Sequence, residues 1–331
     1  MQMIENSTTK KEIHLTTSDN WKIALYKYSN RKATKKHPVF LLHGIASCHH
    51  TWDIGIDKFS FAYYLVDQGY DVYSIDLRGR PNSDGPETGR GQNWSVDDYL
   101  LCDLPRAVEY ILEDSGAKQL HWVGHSLGGV LGYFYQVRHK SHQLKSMITF
   151  ASSLTYTFST INHFRTWLDY LAVFQNYPIR TWWMSMLPFA DYDLPWNRFL
   201  WNPENLEPEV KRAIFTRVMS RIGVFEWNQV KTISSAEGMP RVSTANLYHS
   251  INDRRIDTPV LSLAADDDWV CPLDGVEWTI KNLKPEAKLV VFGKHYGHAV
   301  SYGHMDIVLG IHAVKEVWPR ALEWLNDKDS K

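Results

Sequence analysis

Gly124-His125-Ser126-Leu127-Gly128 directly follows an apolar run and precedes a segment of helical pattern. A serine spaced this way between glycines at a strand-to-helix junction is built for nucleophilic attack. The sharp turn lifts the hydroxyl off the sheet edge, and small residues two positions away on either side let strand and helix approach without a Cβ clash. The start of the helix then offers backbone N–H groups where negative charge would develop. The alternative is a glycine-rich turn with an incidental serine.

A serine needs a base, and the base needs an orienting acid. Residues 294–310, KHYGHAVSYGHMDIVLG, carry three histidines, His295, His298 and His304. They read as a metal site, as surface histidines, or as a loop presenting one catalytic imidazole. The spacings of His295, His298 and His304 suit a metal only on a regular helix, which Gly297 and Gly303 oppose. No HExxH pattern supplies a further ligand, so no metal is expected. His49 and His50, beside Cys48, receive the same reading. Asp266, Asp267 and Asp268 form the acidic candidates, and all three could equally solvate a loop.

The elements that must position these groups are legible from patterning. Residues 12–17 and 21–28 alternate around Ser18-Asp19-Asn20 and predict a β-hairpin. A short continuous apolar run at 38–44 predicts a buried parallel strand, and 71–79, 119–124, 144–152, 258–266 and 287–293 read as the strands that follow. Helical segments fall between them: 59–69 ending at Gly69, a helix around Asp98 to Asp114 kinked at Pro105, and one after Ser126. A closing helix is expected at 313–325, with residues 326–331 frayed. Strands alternating with helices predict a mostly parallel, doubly wound sheet. The rhythm breaks after Ser153 into a helical, aromatic stretch. The expected organisation is a core of residues 1–153 and 257–331, interrupted by a helical cap at 154–256.

At this point the chain resembles the α/β-hydrolase family, in particular its lipase and esterase members. HPVFLLHGIASCHHTW is similar to the family's strand, His-Gly and oxyanion loop. FAYYLVDQGYDVYSIDLRGR and DLPRAVEYILEDSGAKQLHWVGHSLGG resemble segments of the acid-lipase branch. The resemblance implies the order Ser…Asp…His. The family often places its acid four residues before a proline, which selects Asp268 ahead of Pro272. Tyr302-Gly303-His304-Met305-Asp306 resembles the lipase-like histidine string and implies His304 as base, with His298 as the fallback. It also implies backbone donors at Leu127 and Ile45, with Ala46 as the alternative to Ile45. Where relatives carry a small residue or histidine after the glycine of DLRG, this chain has Arg80, which reads either as a substrate contact or as solvent-facing.

The bulk numbers fit that picture. The chain has 331 residues, 44% hydrophobic and 22% charged, with net charge −1, so nothing favours nucleic acid or an anionic membrane. Cys48, Cys102 and Cys271 are too few and too far apart for a disulfide framework. The N-terminus lacks the apolar stretch of a signal peptide and no apolar run reaches transmembrane length, so a cytoplasmic protein is expected. Trp, Tyr and Phe make up 13% of residues, many between Phe164 and Trp227, which leans toward a small apolar ester as substrate. No cofactor is implied, and the oligomeric state is not encoded in any motif. An acyltransferase or thioesterase would use the same three residues. A non-catalytic ligand-binding protein on this scaffold would not need them.

Overall fold

In the computed structural model, residues 8–30, 33–139, 142–155, 184–192, 194–235, 256–283 and 286–331 are described. Eight strands form one sheet: β1 (Thr9–Thr16), β2 (Lys22–Ser29), β3 (Val39–Leu42), β4 (Val72–Asp76), β5 (Leu120–His125), β6 (Leu144–Phe150), β7 (Val260–Ala265) and β8 (Ala287–Phe292). Their order is β1-β2-β4-β3-β5-β6-β7-β8. The pairs β1–β2 and β2–β4 are antiparallel and every other pair is parallel. The hairpin therefore extends a sheet whose centre is doubly wound.

Covering both faces of the sheet explains the continuous apolar runs. Every residue of β3, β4, β5 and β7 is buried. Helix Leu127–His139 is buried from Leu127 through Val137, so it is apolar nearly all round and lies inside the domain. The chain leaves β3 toward β4 on one side and β5 on the other. In α/β sheets such a reversal marks the place beyond the carboxyl ends of the strands where sites lie.

The expected helix around Asp98 to Asp114 departs from a single cylinder. Ser95 caps Val96–Asp98, a π-helical turn spans Tyr99–Asp103, and a regular helix follows over Leu104–Ser115. Pro105 has no N–H for the Leu101 carbonyl, so the ladder widens just before it. The bulged segment carries Asp103, whose carboxylate takes Arg78 Nε and Nη2 at 2.9 and 2.7 Å.

One expectation fails outright. Residues 326–331 are not a frayed tail, because helix Trp318–Asp329 runs almost to the C-terminus. Asp329 accepts from the backbone N–H groups of Lys36 and His37 and from His37 Nδ1, and Lys328 pairs with Glu286 at 2.6 Å. Contacts nearly three hundred residues apart hold an end that local sequence leaves polar.

Of the expected insertion, the described parts contain no strand. They comprise helices Pro195–Leu200, Pro208–Ala213 and Val224–Ser235 with short linking turns. The aromatic run from Phe164 through Trp183 lies outside the described residues. Among the described residues, no helix is long and apolar enough to cross a membrane.

Candidate active site

Ser126 sits between β5 and helix Leu127–His139 with φ +52°, a left-handed backbone that a serine rarely adopts. The flanking glycines make that turn possible. A Cβ on Gly124 would lie 2.4 Å from the Gly128 carbonyl carbon, and one on Gly128 would lie 2.3 Å from the Leu42 carbonyl oxygen. A Cβ on Gly129 would collide with Ser152 Oγ at 2.2 Å. The strand, the elbow and the start of the helix thus pack backbone to backbone. The Ser126 N–H is held by the Phe150 carbonyl at 2.9 Å, and the Ser126 carbonyl accepts from Ser152 Oγ at 2.8 Å.

The loop after β3 lies against this elbow. A Cβ on Gly44 would come within 3.0 Å of Ser126 Cβ. The Gly44 carbonyl accepts from Ser47 Oγ at 2.9 Å and from His43 Nδ1 at 2.8 Å. In a trans peptide the next N–H points the opposite way, so these two bonds fix the direction of the Ile45 N–H. His43 donates as a neutral ring, because burial holds its pKa down to about 3. Ala46 takes a positive φ of 52°, and its carbonyl accepts from Ser220 N–H of the insertion at 2.7 Å. No described carbonyl or side chain accepts the N–H of Ile45, Ala46 or Leu127.

The loops after β7 and β8 meet beyond the sheet edge. His304 Nδ1 donates to Asp268 Oδ2 at 2.8 Å, and both residues are buried. The other Asp268 oxygen accepts from the N–H groups of Val270 and Cys271, each at 2.8 Å, which fixes the carboxylate plane. The three aspartates have separate roles. Asp266 accepts from Ser301 Oγ and from Tyr302 N–H, tying the aspartate loop to the histidine loop, while Asp267 accepts from Trp269 Nε1. His298 is placed elsewhere: its ring packs on Phe292, with Nδ1 3.2 Å from the Gly293 nitrogen. His295 lies in the short turn Lys294–Tyr296.

Asp306, Asp76 and Arg80 tie together the loops around the site. Asp306 is fully buried and accepts from the N–H groups of Asn202 and Gly303 and from Asn205 Nδ2, so it joins the histidine loop to the insertion. Burial, opposed by those donors, moves its carboxyl up to about 7. Its signal in the sequence is its place two residues after His304. Asp76, at the end of β4, grips both the N–H and Nδ1 of His49 at 2.7 and 2.9 Å, anchoring the far side of the Gly44 loop. Arg80 is neither solvent-facing nor free to contact a substrate: it is buried against Glu226 at 2.5 Å.

A family profile described as the alpha/beta hydrolase fold matches residues 37–304. The chain belongs to that family. This α/β-hydrolase is 31% identical over 143 residues to bovine gastric triacylglycerol lipase, covering 40% of this chain and 36% of the lipase. It is 22% identical over 356 residues to the Caenorhabditis elegans lipase lipl-1, covering 92% of this chain and 85% of that one. Against the gastric lipases of cattle and humans, the match spans only 36% and 42% of their length. Solved structures share its fold: a carboxylesterase study of Nitrososphaera gargenis (TM-score 0.64, 19% identity, 96% of this chain and 99% of that one) and an esterase from Thermogutta terrifontis (TM-score 0.64, 17% identity, the same coverage).

Proposed function

We propose that this α/β-hydrolase cleaves carboxylic esters of apolar character through an acyl-enzyme on Ser126. The observation that carries the reading is the His304–Asp268 bond, formed by loops that leave the same sheet edge as the strained Ser126 elbow. With its Nδ1 proton held by Asp268, His304 has a bare Nε2 to take the serine proton. Ser126 Oγ bonds to the ester carbonyl carbon, and the N–H groups of Leu127 and Ile45 hold the oxyanion. The alcohol leaves with the proton from His304, and water then repeats the cycle on the acyl-enzyme. The relatedness to lipases and esterases favours an ester over an amide or halide. The aromatic density of the insertion favours an apolar acyl or alcohol group. Cys48, Cys102 and Cys271 form no disulfide among the described residues, which supports a reducing, cytoplasmic setting.

Assay with p-nitrophenyl esters of increasing acyl length tests the proposal. Turnover is expected in the parent protein and is lost in Ser126→Ala. Turnover that survives Ser126→Ala contradicts the proposal. Adding competing alcohols or thiols separates hydrolysis from acyl transfer: free acid as the dominant product supports hydrolysis, and transfer product in its place overturns that part.

A further inference from the structure

The residue before the nucleophile has a part in the site that the proposed reaction does not yet assign. His125 is the last residue of β5 and is buried. Its Nε2 lies 2.9 Å from the backbone carbonyl oxygen of His304, across 179 positions of sequence. Its ring stands beside the His304 ring, with centroids 4.7 Å apart and planes tilted by 49°. On its other flank, a Cβ on Gly44 would come within 3.3 Å of Nδ1. His125 therefore touches the histidine loop and the Gly44 loop while being covalently joined to Ser126.

We propose that His125 is a positioning residue: its Nε2–H clamps the His304 carbonyl and so holds the base in register with the serine one residue away. The proposal rests on the reading of Ser126 and His304 as nucleophile and base. A carbonyl only accepts, so the proton must sit on Nε2. Nδ1 then carries the bare lone pair, and it has no hydrogen-bond partner among the described residues. A buried polar atom left unpaired is unfavourable. A residue kept there against that penalty makes its contribution through the other nitrogen.

The choice of imidazole also follows from what must happen next door. His304 becomes an imidazolium during each half-reaction. A lysine or arginine at position 125 would place a fixed positive charge against it and oppose that step. Burial keeps the His125 ring neutral, helped by repulsion from His304. Phenylalanine would fill the space without a donor. Asparagine would place its amide near the Nδ1 position, too short to reach. A neutral donor at the Nε2 distance does both jobs, and glutamine supplies one.

The test compares parent, His125→Phe and His125→Gln by steady-state ester kinetics and by the rate of fluorophosphonate labelling at Ser126. His125→Phe is expected to lower kcat on the order of 10- to 100-fold with KM changed less than about twofold, since a misplaced base affects chemistry and not binding. His125→Gln is expected to recover most of that loss. Equal kcat in the two variants, or His125→Phe within about threefold of the parent, overturns the proposal. Should His125→Phe not fold, the parent protein decides alone: nitrogen-15 imidazole spectra should show His125 protonated on Nε2 and bare on Nδ1, and the opposite tautomer overturns it. Absence of any Ser126 label in the folded parent is a different result. It removes the nucleophile reading itself and with it the ground on which His125 acts.

Discussion

Asp268→Asn should lower ester kcat by about 10⁴-fold while leaving the fold intact. The structure dictates which way the amide must sit. Oδ1 of Asp268 accepts two backbone N–H groups, from Val270 and Cys271. An asparagine has to keep its oxygen there, because turning the NH2 group toward two donors would forfeit both bonds. Its NH2 then takes the place of Oδ2 and faces His304 Nδ1, now at 2.8 Å from the carboxylate. A donor facing Nδ1 requires that nitrogen to be bare, which moves the imidazole proton to Nε2. The ring then offers the serine a proton in place of a lone pair. The check is kcat together with urea unfolding: a large loss of turnover at nearly unchanged stability supports the tautomer account. Turnover within tenfold of the parent contradicts it.

Arg80→Met should destabilise the protein by about 3–5 kcal/mol, the range for stripping one partner from a buried ion pair. Arg80 and Glu226 are both fully buried, so no solvent screens the charge left behind. Arg80 Nη2 meets Glu226 Oε1 and Nη1 donates to the Arg221 carbonyl, both at 2.5 Å. The second glutamate oxygen accepts from Trp94 Nε1 and Gly223 N–H at 3.1 and 2.8 Å. Without the guanidinium, Glu226 keeps those two donors and loses its counter-charge. Because Arg80 stands in the loop after β4 and Glu226 in the insertion, the same change loosens the docking of one on the other. Urea unfolding of Arg80→Met, Glu226→Leu and the double variant measures this. The double variant should be less damaged than the sum of the singles, because no lone buried charge remains. Additive losses, or a change below about 1 kcal/mol for Arg80→Met, contradict the account.

The sheet and the elbow were legible because their signals are local. A strand buried on both faces can be apolar throughout, as in β3, and the glycines around Ser126 form one short pattern, although Gly128 and Gly129 pack against the distant Leu42 and Ser152. The partners of the serine were not local. Spacing left His298 beside His304 and three adjacent aspartates on equal terms, and only the family resemblance ranked them. What separates them physically is that one imidazole meets one carboxylate across 36 positions. Arg80 stood out as a departure from the family's pattern, but its role was not readable, since its partner lies 146 residues away in the insertion. The C-terminal tail misled for the same reason: a charged, polar string reads as frayed until the His37 and Lys36 contacts of Asp329 are seen. The kink expected at Pro105 shows as a π-helical turn directly before it, a consequence of the missing N–H.

The most direct test of the central claim is covalent. The parent protein is treated with a fluorophosphonate, weighed intact and mapped by peptide. A single adduct on Ser126, absent in Ser126→Ala and greatly slowed in His304→Ala, is the expected result, because only an activated serine attacks that phosphorus at a useful rate. A folded protein that takes no adduct, or takes it on another residue at an equal rate in Ser126→Ala, contradicts the account.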